Sequence, residues 1–317
     1  MHRSGPDYIQ LYPTLRCDRS CGFCFNRSMP LAPDMSFDDF RRMLAILKQI
    51  RVKTIDIMGG EPTLHDDITS IVQHTIEQGF RVNMSSNGTN TDALAELCGM
   101  GRNVTVGISI NDRVTLRRLS DFIRLHGPVV KTVFTSQTDD GLIEEILALK
   151  PKKFYLIYRD IIEQREMTEA MSFPLYVNAI RQRYNSPVVG MVYCSGFIPD
   201  EDYPVLARVR CPAGTTKLGV MPDGSVFPCN LFFGKPAFLL GNILADPLEE
   251  IWEHQTLDFF RTYKGNTCSR LSCELHARCH GGCPAQALAL SGDLAAIDPR
   301  CSPAAGRHDE KPKGEKR

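Results

Sequence analysis

Residues 15–27 read LRCDRSCGFCFNR and hold Cys17, Cys21 and Cys24, with three and then two residues between them. A tetrahedral metal ion or an iron–sulfur cubane normally takes four protein ligands. Three thiolates on one loop can hold a cubane by three of its irons and leave the fourth iron open to bind another molecule. A zinc knuckle or a redox pair that lacks a partner is the alternative, although zinc ribbons favour paired two-residue spacings.

Strand-like and helix-like segments alternate on both sides of this loop. Ser36 is the expected cap of the first helix, one face of which carries Phe37, Phe40, Leu44 and Leu47. Short apolar runs predict six strands, in the segments YIQLYP, TIDIMGG, FRVNMSS, NVTVGISI, VVKTVFT and KFYLIY. Six such alternations predict a parallel α/β sheet covered by helices, either a partial barrel or a doubly wound sheet, with the site at the carboxyl ends of the strands.

Composition limits the classes of function. The chain has 317 residues and a mass of 35.5 kDa, enough for one large α/β domain and a smaller one. Lys and Arg together number 37, as do Asp and Glu, so the net charge indicates no nucleic-acid and no membrane partner. The sequence has neither a signal-peptide pattern nor a run of about 18 apolar residues. We therefore expect a cytoplasmic protein, in which 12 cysteines indicate metal binding rather than disulfides.

The cysteines divide the chain unevenly. Three lie in the loop at 17–24, Cys98 and Cys194 stand alone, and seven fall between 211 and 301. Beyond residue 200 prolines, glycines and cysteines become frequent, and long helical periodicity fades. We predict a core domain over residues 1–195, a small, irregular α+β domain rich in cysteine over 196–301, and a disordered tail over 302–317.

The loop resembles the signature of the radical SAM superfamily, which has three cysteines at this spacing and an aromatic residue before the last, here Phe23. The resemblance implies that the core is a partial (β/α)6 barrel. It also implies that Cys17, Cys21 and Cys24 bind a 4Fe–4S cluster whose open iron is chelated by S-adenosylmethionine. In this family an electron from the cluster cleaves S-adenosylmethionine to a 5′-deoxyadenosyl radical, which removes a hydrogen atom from the substrate.

Three strand ends support the resemblance. MGGEP ends the second strand, where glycine lets the backbone approach a ligand closely, and SSNG and GISIN end the third and fourth. By resemblance, the residues that would contact S-adenosylmethionine are Phe23, Gly59, Gly60, Glu61, Ser86, Asn87, Ser109 and Asn111. A tight turn is the alternative for the two glycines. Small polar residues at strand ends are common in any α/β fold.

The cysteines after residue 210 resemble the SPASM extension of radical SAM enzymes, and PDGSVFPCN resembles its hairpin with an Asp-Gly turn. The family pattern implies two auxiliary 4Fe–4S clusters. The nearer would be held by Cys211, Cys229 and Cys283. The farther would be held by Cys268, Cys273, Cys279 and Cys301. Four residues separate the first two of these, where the family usually has two, so transfer of roles is weaker there.

Two clusters with full cysteine ligation need eight thiolates, and this region supplies seven. Cys194 is a candidate for the eighth ligand, and an open iron, a carboxylate or a backbone group are alternatives. Cys194 is equally a candidate hydrogen-atom donor near the substrate, or a small buried apolar side chain. His276 and His280 are expected at the surface or beside the ligands, His65 solvated or capping a helix, and Cys98 in packing.

Auxiliary clusters can pass an electron out of a substrate radical, so the architecture implies an oxidoreductase that performs a net two-electron oxidation. The family most often modifies peptides or proteins, and we predict this substrate class. Because the chain begins only a few residues before its first strand, we expect any leader sequence to be held by another chain. A reductant such as ferredoxin or flavodoxin is a further expected partner.

Two alternatives stay open. One is the same radical chemistry, for example a dehydrogenation, on a small molecule such as an aminoglycoside-like sugar, a porphyrin or another metabolite. The other is a protein that is no enzyme, either a multi-cluster electron carrier or a zinc scaffold. The glycine-rich and Ser-Asn-Gly strand ends favour an enzyme, because a carrier has no need of a nucleoside pocket.

Overall fold

A computed structural model describes residues 5–27, 29, 31–50, 52–193, 211–262 and 268–301. Two predictions from the sequence fall outside these residues. They are the roles considered for Cys194 and the disordered tail at 302–317.

The first part of the described chain alternates strands and helices around one parallel sheet. The strands are β1 (Tyr8–Leu11), β2 (Thr54–Ile57), β3 (Arg81–Ser86), β4 (Val104–Ser109), β5 (Val129–Phe134), β6 (Phe154–Tyr158) and β7 (Val189–Val192). The helices are α1 (Phe37–Gln49), α2 (Ile68–Glu77), α3 (Thr91–Gly99), α4 (Arg113–His126), α5 (Asp140–Ala148) and α6 (Phe173–Arg183).

Each of these strands pairs in parallel with the one before it, from β1 to β7. A doubly wound sheet would reverse its strand order at a switch point. The sequential order therefore identifies a partial barrel, and the predicted fold class is confirmed. The sequence predicted six strands, and β7 is a seventh. The run VVGMVY that contains it is apolar, and it is a strand signal that the sequence prediction did not use.

The cysteine-rich part of the chain extends the same sheet. Strand β8 (Lys217–Val220) pairs in parallel with β1, and β9 (Ser225–Phe227) and β10 (Gly241–Asn242) continue outward in antiparallel pairs. The predicted hairpin is confirmed, because Asp223 and Gly224 lie between β8 and β9 and Gly224 has φ +83°. The division into domains at residue 195 stays a prediction, and the sheet runs through both parts.

Four short helices follow: α7 (Leu248–Trp252), α8 (Asp258–Thr262), α9 (His276–Cys279) and α10 (Pro284–Ser291). Their brevity agrees with the loss of helical periodicity in the sequence. Cys279 ends α9 and Cys283 caps α10, so two of the predicted cluster ligands lie at helix ends.

The first helix shows how local sequence sets an element. The Ser36 hydroxyl accepts a hydrogen bond from the Asp39 amide at 3.1 Å, as the sequence predicted. The buried face of α1 differs from the predicted one at one position. Phe37 is only half-buried, and Met43 is buried instead. The face of α1 that contacts the sheet is Phe40, Met43, Leu44 and Leu47. Burying each such side chain stabilises the fold by about 1.5–3 kcal/mol.

Candidate active site and cluster-binding sites

The loop after β1 brings the three predicted cluster ligands together. Cys17 is exposed and Cys21 and Cys24 are partly buried, and the Cys24 amide donates to the Cys21 carbonyl at 3.0 Å in a tight turn. Partial desolvation of the thiol groups raises the pKa of both Cys17 and Cys21, and the charge of Cys24 raises the pKa of each further. Thiols such as Cys17 and Cys21, whose ionisation this loop disfavours, fit an iron cluster, since its positive irons stabilise the thiolates that bind them.

Backbone hydrogen bonds hold this loop against the glycine-rich end of β2. The Gly60 amide donates to the Thr14 carbonyl at 3.1 Å, and the Glu61 amide donates to the Arg16 carbonyl at 2.7 Å. A Cβ atom on Gly60 would lie 2.0 Å from the Arg16 carbonyl oxygen, and Gly59 has φ +138°. The sequence explained these glycines by the approach of a ligand. The structure adds a second reason, since the backbone of the cysteine loop itself passes this close.

Glu61 joins the ends of β2 and β3. Its carboxylate is fully buried and accepts from the Thr63 amide at 3.1 Å, the Thr63 hydroxyl at 2.7 Å, the Ser86 hydroxyl at 2.8 Å and the Asn87 amide at 2.6 Å. These four bonds fix the two strand ends that the sequence predicted for S-adenosylmethionine. The geometry supports a positioning role for Glu61, and direct contact of Glu61 with the nucleotide stays a prediction.

The remaining predicted contacts lie on the same edge of the sheet. The Asn87 side chain donates to Asp18 in the cysteine loop at 2.7 Å, so the end of β3 lies beside that loop. Asn111, after β4, accepts from the Val133 amide of β5 at 2.8 Å. Ser109 at the end of β4 and Phe23 in the loop are partly buried.

Three residues that support the loop were missed from the sequence. Asn26 donates to the Gly59 carbonyl at 3.0 Å, Arg19 donates to the Thr115 hydroxyl at 3.2 Å, and Asp18 accepts from Asn87. Their partners lie between 33 and 96 positions away along the chain. No local pattern of the sequence marks such pairs.

A cavity of about 150 Å³ lies where the end of β6 meets the cysteine-rich part of the chain. Cys211, Cys229 and Cys283, the ligands predicted for the nearer cluster, all line it. Burial raises the pKa of Cys283 far above its usual value, and the charge of Arg300 opposes this. A thiol whose ionisation is this unfavourable fits a site in which iron supplies the compensating positive charge.

A second, smaller cavity is lined by all four cysteines predicted for the farther cluster: Cys268, Cys273, Cys279 and Cys301. The extra residues between the first two form a turn, in which the Cys273 amide donates to the Arg270 carbonyl at 3.1 Å. The longer spacing therefore does not separate the thiols. His276 lies beside them, with Nε2 3.1 Å from the Cys268 carbonyl oxygen. This contact agrees with the supporting position expected for that histidine.

Arg300 lies buried between the two cysteine groups, with 2% of its surface exposed. It donates to Asp298 at 2.7 Å, to Asp160 at 3.2 Å and to the Arg159 carbonyl at 2.7 Å, and its guanidinium covers the Tyr158 ring at 4.5 Å. The sequence did not single out any of these residues. Together they tie the segment before Cys301 to the end of β6.

His65 and Cys98, which lie outside the motifs, have structural roles. His65, expected to be solvated or to cap a helix, is buried, and it is the C-cap residue of the short 3-10 helix Pro62–Leu64. Its Nδ1 accepts from the Asp67 amide at 3.1 Å at the start of α2, and Nε2 lies 2.8 Å from the Met35 carbonyl oxygen. Cys98 is partly buried and packs against the core, as predicted.

Two kinds of feature are absent from the residues that the structure describes: a site for a single metal ion and a membrane-spanning helix. No three of their His, Cys, Asp or Glu side chains are arranged to hold a single metal ion. None of their helices is both long enough and apolar enough to span a membrane.

Two family models match the chain. That of the radical SAM superfamily matches residues 11–124, and that of an iron-sulfur cluster-binding domain, SPASM, matches residues 211–284. The matched ranges begin at the end of β1 and at Cys211, respectively, and together they cover more than half of the chain.

Among curated proteins, the chain is similar to PqqA peptide cyclases. It is 25% identical to that of Rhodopseudomonas palustris, over 94% of this chain and 87% of the relative. It is also 25% identical to that of Streptomyces rochei, over 91% and 87%.

Solved structures share the fold. Streptococcus suis SuiB bound to precursor peptide SuiA superposes with a TM-score of 0.71 at 21% identity, over 94% of this chain and 76% of that one. The enzyme anSMEcpe with bound AdoMet gives a TM-score of 0.68 at 16% identity, over 93% and 94%. The chain carries a radical SAM domain over residues 11–124 and a SPASM iron–sulfur cluster-binding domain over residues 211–284.

Proposed function

We propose that this enzyme cleaves S-adenosylmethionine reductively and uses the resulting radical for the oxidative maturation of a peptide or protein. The observation that carries the proposal is the pair of hydrogen bonds from Gly60 and Glu61 to the backbone of the cysteine loop, at 3.1 and 2.7 Å. They place three thiols beside a glycine-rich strand end, which is the arrangement that a cluster and a nucleotide in contact require.

The residues of the core have distinct roles in this proposal. Cys17, Cys21 and Cys24 hold a 4Fe–4S cluster, and Glu61 fixes the strand ends that face the nucleotide. With the cluster and S-adenosylmethionine bound, the site supplies a 5′-deoxyadenosyl radical, which removes one hydrogen atom from the substrate. The side that faces the nucleotide would consist of Phe23, Gly59, Gly60, Ser86, Asn87, Ser109 and Asn111.

The cysteine-rich part has the oxidative role. Two auxiliary 4Fe–4S clusters would occupy the two cavities, the nearer on Cys211, Cys229 and Cys283 and the farther on the other four cysteines. A substrate that has lost a hydrogen atom must lose one more electron to complete a two-electron oxidation. These clusters would take that electron and pass it to an external acceptor. On this account the enzyme is an oxidoreductase.

The substrate class rests on relatives. The curated relatives are named PqqA peptide cyclases, and a solved structure of the same fold holds a precursor peptide. A ferredoxin or flavodoxin would supply the electron for cleavage of S-adenosylmethionine, and a cytoplasmic location would keep the 12 cysteines reduced.

The first experiment tests the radical chemistry. The full chain is purified without oxygen, loaded with iron and sulfide, and mixed with S-adenosylmethionine and dithionite. We expect 5′-deoxyadenosine to form, and we expect the variant Cys17→Ala/Cys21→Ala/Cys24→Ala to form none. Cys98→Ala is the matched control, because Cys98 packs against the core away from both cysteine groups. Formation of 5′-deoxyadenosine by the triple variant at the parental rate would refute the proposal.

The second experiment tests the substrate class. Extract of the source cells is divided by size, and each fraction is tested for stimulation of 5′-deoxyadenosine formation. Stimulation that disappears after protease treatment of the fraction supports a peptide or protein. Stimulation that survives protease and stays in the fraction of small molecules supports the sugar, porphyrin or metabolite alternative instead.

A further inference from the structure

The two cavities divide the cysteine ligands unequally. Two 4Fe–4S clusters have eight ligand positions, and the chain offers seven cysteines between residues 211 and 301. Four of these line the smaller cavity, and two of the four, Cys279 and Cys301, also line the larger one, whereas Cys211, Cys229 and Cys283 line only the larger cavity. With the first four assigned to the farther cluster, the missing ligand belongs to the nearer one. This step rests on the proposed function, which places a cluster in each cavity.

Asp160 lines the same cavity as these three cysteines. It follows the end of β6 by two residues, and only 10% of its side chain is exposed. A carboxylate so placed in a site lined by thiols has the chemistry of a metal ligand.

The hydrogen bonds of Asp160 leave one oxygen for a metal. The Gln286 side chain donates through Nε2 to Oδ1 at 3.4 Å, and the Arg300 guanidinium donates to the same oxygen at 3.2 Å. Both of these bonds use Oδ1, and the charge of the buried Lys217, which lines the same cavity, also acts on the carboxylate. Carboxylates that ligate metals are commonly oriented in this way, through hydrogen bonds to the oxygen that does not bind.

Asp298, the other carboxylate of the cavity, is already committed. Its Oδ1 accepts from the Arg300 backbone amide and side chain, each at 3.0 Å. Its Oδ2 accepts from the Cys283 amide at 3.1 Å and from Arg300 at 2.7 Å. Asp298 therefore orients Cys283 and Arg300, whereas Oδ2 of Asp160 is in a position to bind a metal.

We propose that Asp160 is the fourth protein ligand of the nearer auxiliary cluster, bound to iron through Oδ2. One iron–oxygen bond forms, the carboxylate binds in its ionised form, and no electron is transferred in the step. A carboxylate oxygen is a harder and weaker donor than a thiolate, so the cluster has a higher reduction potential than it would with a fourth cysteine. A higher potential favours acceptance of an electron from a substrate radical.

The test isolates the auxiliary clusters in the full chain. The background variant Cys17→Ala/Cys21→Ala/Cys24→Ala removes the first cluster, so that iron content, the EPR spectrum of the reduced protein and the midpoint potentials report the other two. Asp160→Ala, Asp160→Cys and Cys194→Ala are then added singly. Glu169→Gln is the matched control, since it removes a carboxylate that pairs with the neighbouring Arg159 but does not line the cavity.

We expect Asp160→Ala to lose about one iron per chain and to change the EPR signal of one cluster. We expect Asp160→Cys to restore the iron and to lower the midpoint potential of that cluster below the parental value. Cys194→Ala and Glu169→Gln should leave all three measurements unchanged. If Asp160 were needed only for folding, Asp160→Cys would not both restore the iron and lower the midpoint potential. The cysteine variant therefore separates a cluster ligand from a structural residue.

Three outcomes overturn the inference. In the first, both Asp160 variants retain parental iron, EPR signals and potentials. In the second, Cys194→Ala reproduces the changes expected of Asp160→Ala. In the third, the background variant holds no auxiliary cluster, which also refutes the cluster assignment of the proposed function. In the first two outcomes auxiliary clusters are present, so the proposed function survives.

Discussion

The Glu61 carboxylate accepts a hydrogen bond from the Ser86 hydroxyl at 2.8 Å and so ties the end of β2 to the end of β3. The same carboxylate accepts from the Asn87 amide, and Asn87 contacts Asp18 in the cysteine loop. One buried group thereby sets the relative position of both strand ends and of the loop that carries the three thiols.

Glu61→Gln should destabilise this junction. Glutamine offers one accepting oxygen in place of two, and its NH2 group would face an N–H or O–H donor, so we expect a loss of about 1–3 kcal/mol in the free energy of unfolding. We also expect weaker binding of S-adenosylmethionine. Anaerobic urea unfolding and equilibrium binding measure the two effects. Glu96→Gln, at an exposed carboxylate with one long bond from Thr69, is the control and should change neither.

Gly60→Ala should displace the cysteine loop. The added methyl group would lie 2.0 Å from the Arg16 carbonyl oxygen, and a backbone atom cannot yield as a flexible side chain can. We expect a loss of about 1–3 kcal/mol in stability and a fall in 5′-deoxyadenosine formation. The control is Gly99→Ala, since a methyl group there meets nothing within 4 Å. Equal behaviour of the two variants would contradict the account.

Arg300→Met should lower the free energy of unfolding more than the substitution of a surface arginine does. The change leaves two buried carboxylates, Asp160 and Asp298, without their shared cation, and such losses cost about 3–5 kcal/mol. Arg124→Gln, which breaks an exposed pair with Asp121, should cost about 0–1 kcal/mol. Anaerobic urea unfolding followed by circular dichroism compares the two. A similar midpoint for both variants would show that Arg300 does not clamp the cysteine-rich part to β6.

Lys131 should make stability depend on pH. Its ammonium donates to the Ser85 hydroxyl, and burial lowers the pKa of Lys131 to about 8, against the weaker pull of Asp56 and Glu61. Because the folded pKa lies below the unfolded one, the penalty for a charged lysine is full below about pH 8 and disappears above the unfolded pKa of about 10.4.

The free energy of unfolding of the parent should therefore rise relative to Lys131→Met by about 2–3 kcal/mol between these limits. Urea unfolding at pH 7.5, 9 and 10.5, taken as the difference between the two proteins, measures it. Lys48→Met, at an exposed lysine, should show a flat difference. A flat difference for Lys131→Met as well would refute the argument.

Much of the fold could be predicted from local sequence. The Ser36 cap, the six strands and the Asp223-Gly224 turn depend on residues within a few positions of one another, and all are confirmed. The strand β7 and the parallel pairing of β8 with β1 were missed. Both depend on a neighbouring strand to supply hydrogen bonds, and the partner of β8 lies some 200 positions earlier in the chain.

The spacing of Cys17, Cys21 and Cys24 by itself indicated a loop that binds a cluster or a metal, because ligands on one short loop must converge whatever surrounds them, and the family resemblance supplied the chemistry. The family pattern had already implied how the late cysteines group, and only the tertiary structure showed that Asp160 and Arg300 lie among them. Those contacts join β6 to a segment about 140 positions further on, and Arg300 donates there to the Arg159 carbonyl at 2.7 Å. Periodicity reports only which face of an element is apolar. It cannot report which distant charges the fold buries together, because that depends on how the whole sheet closes.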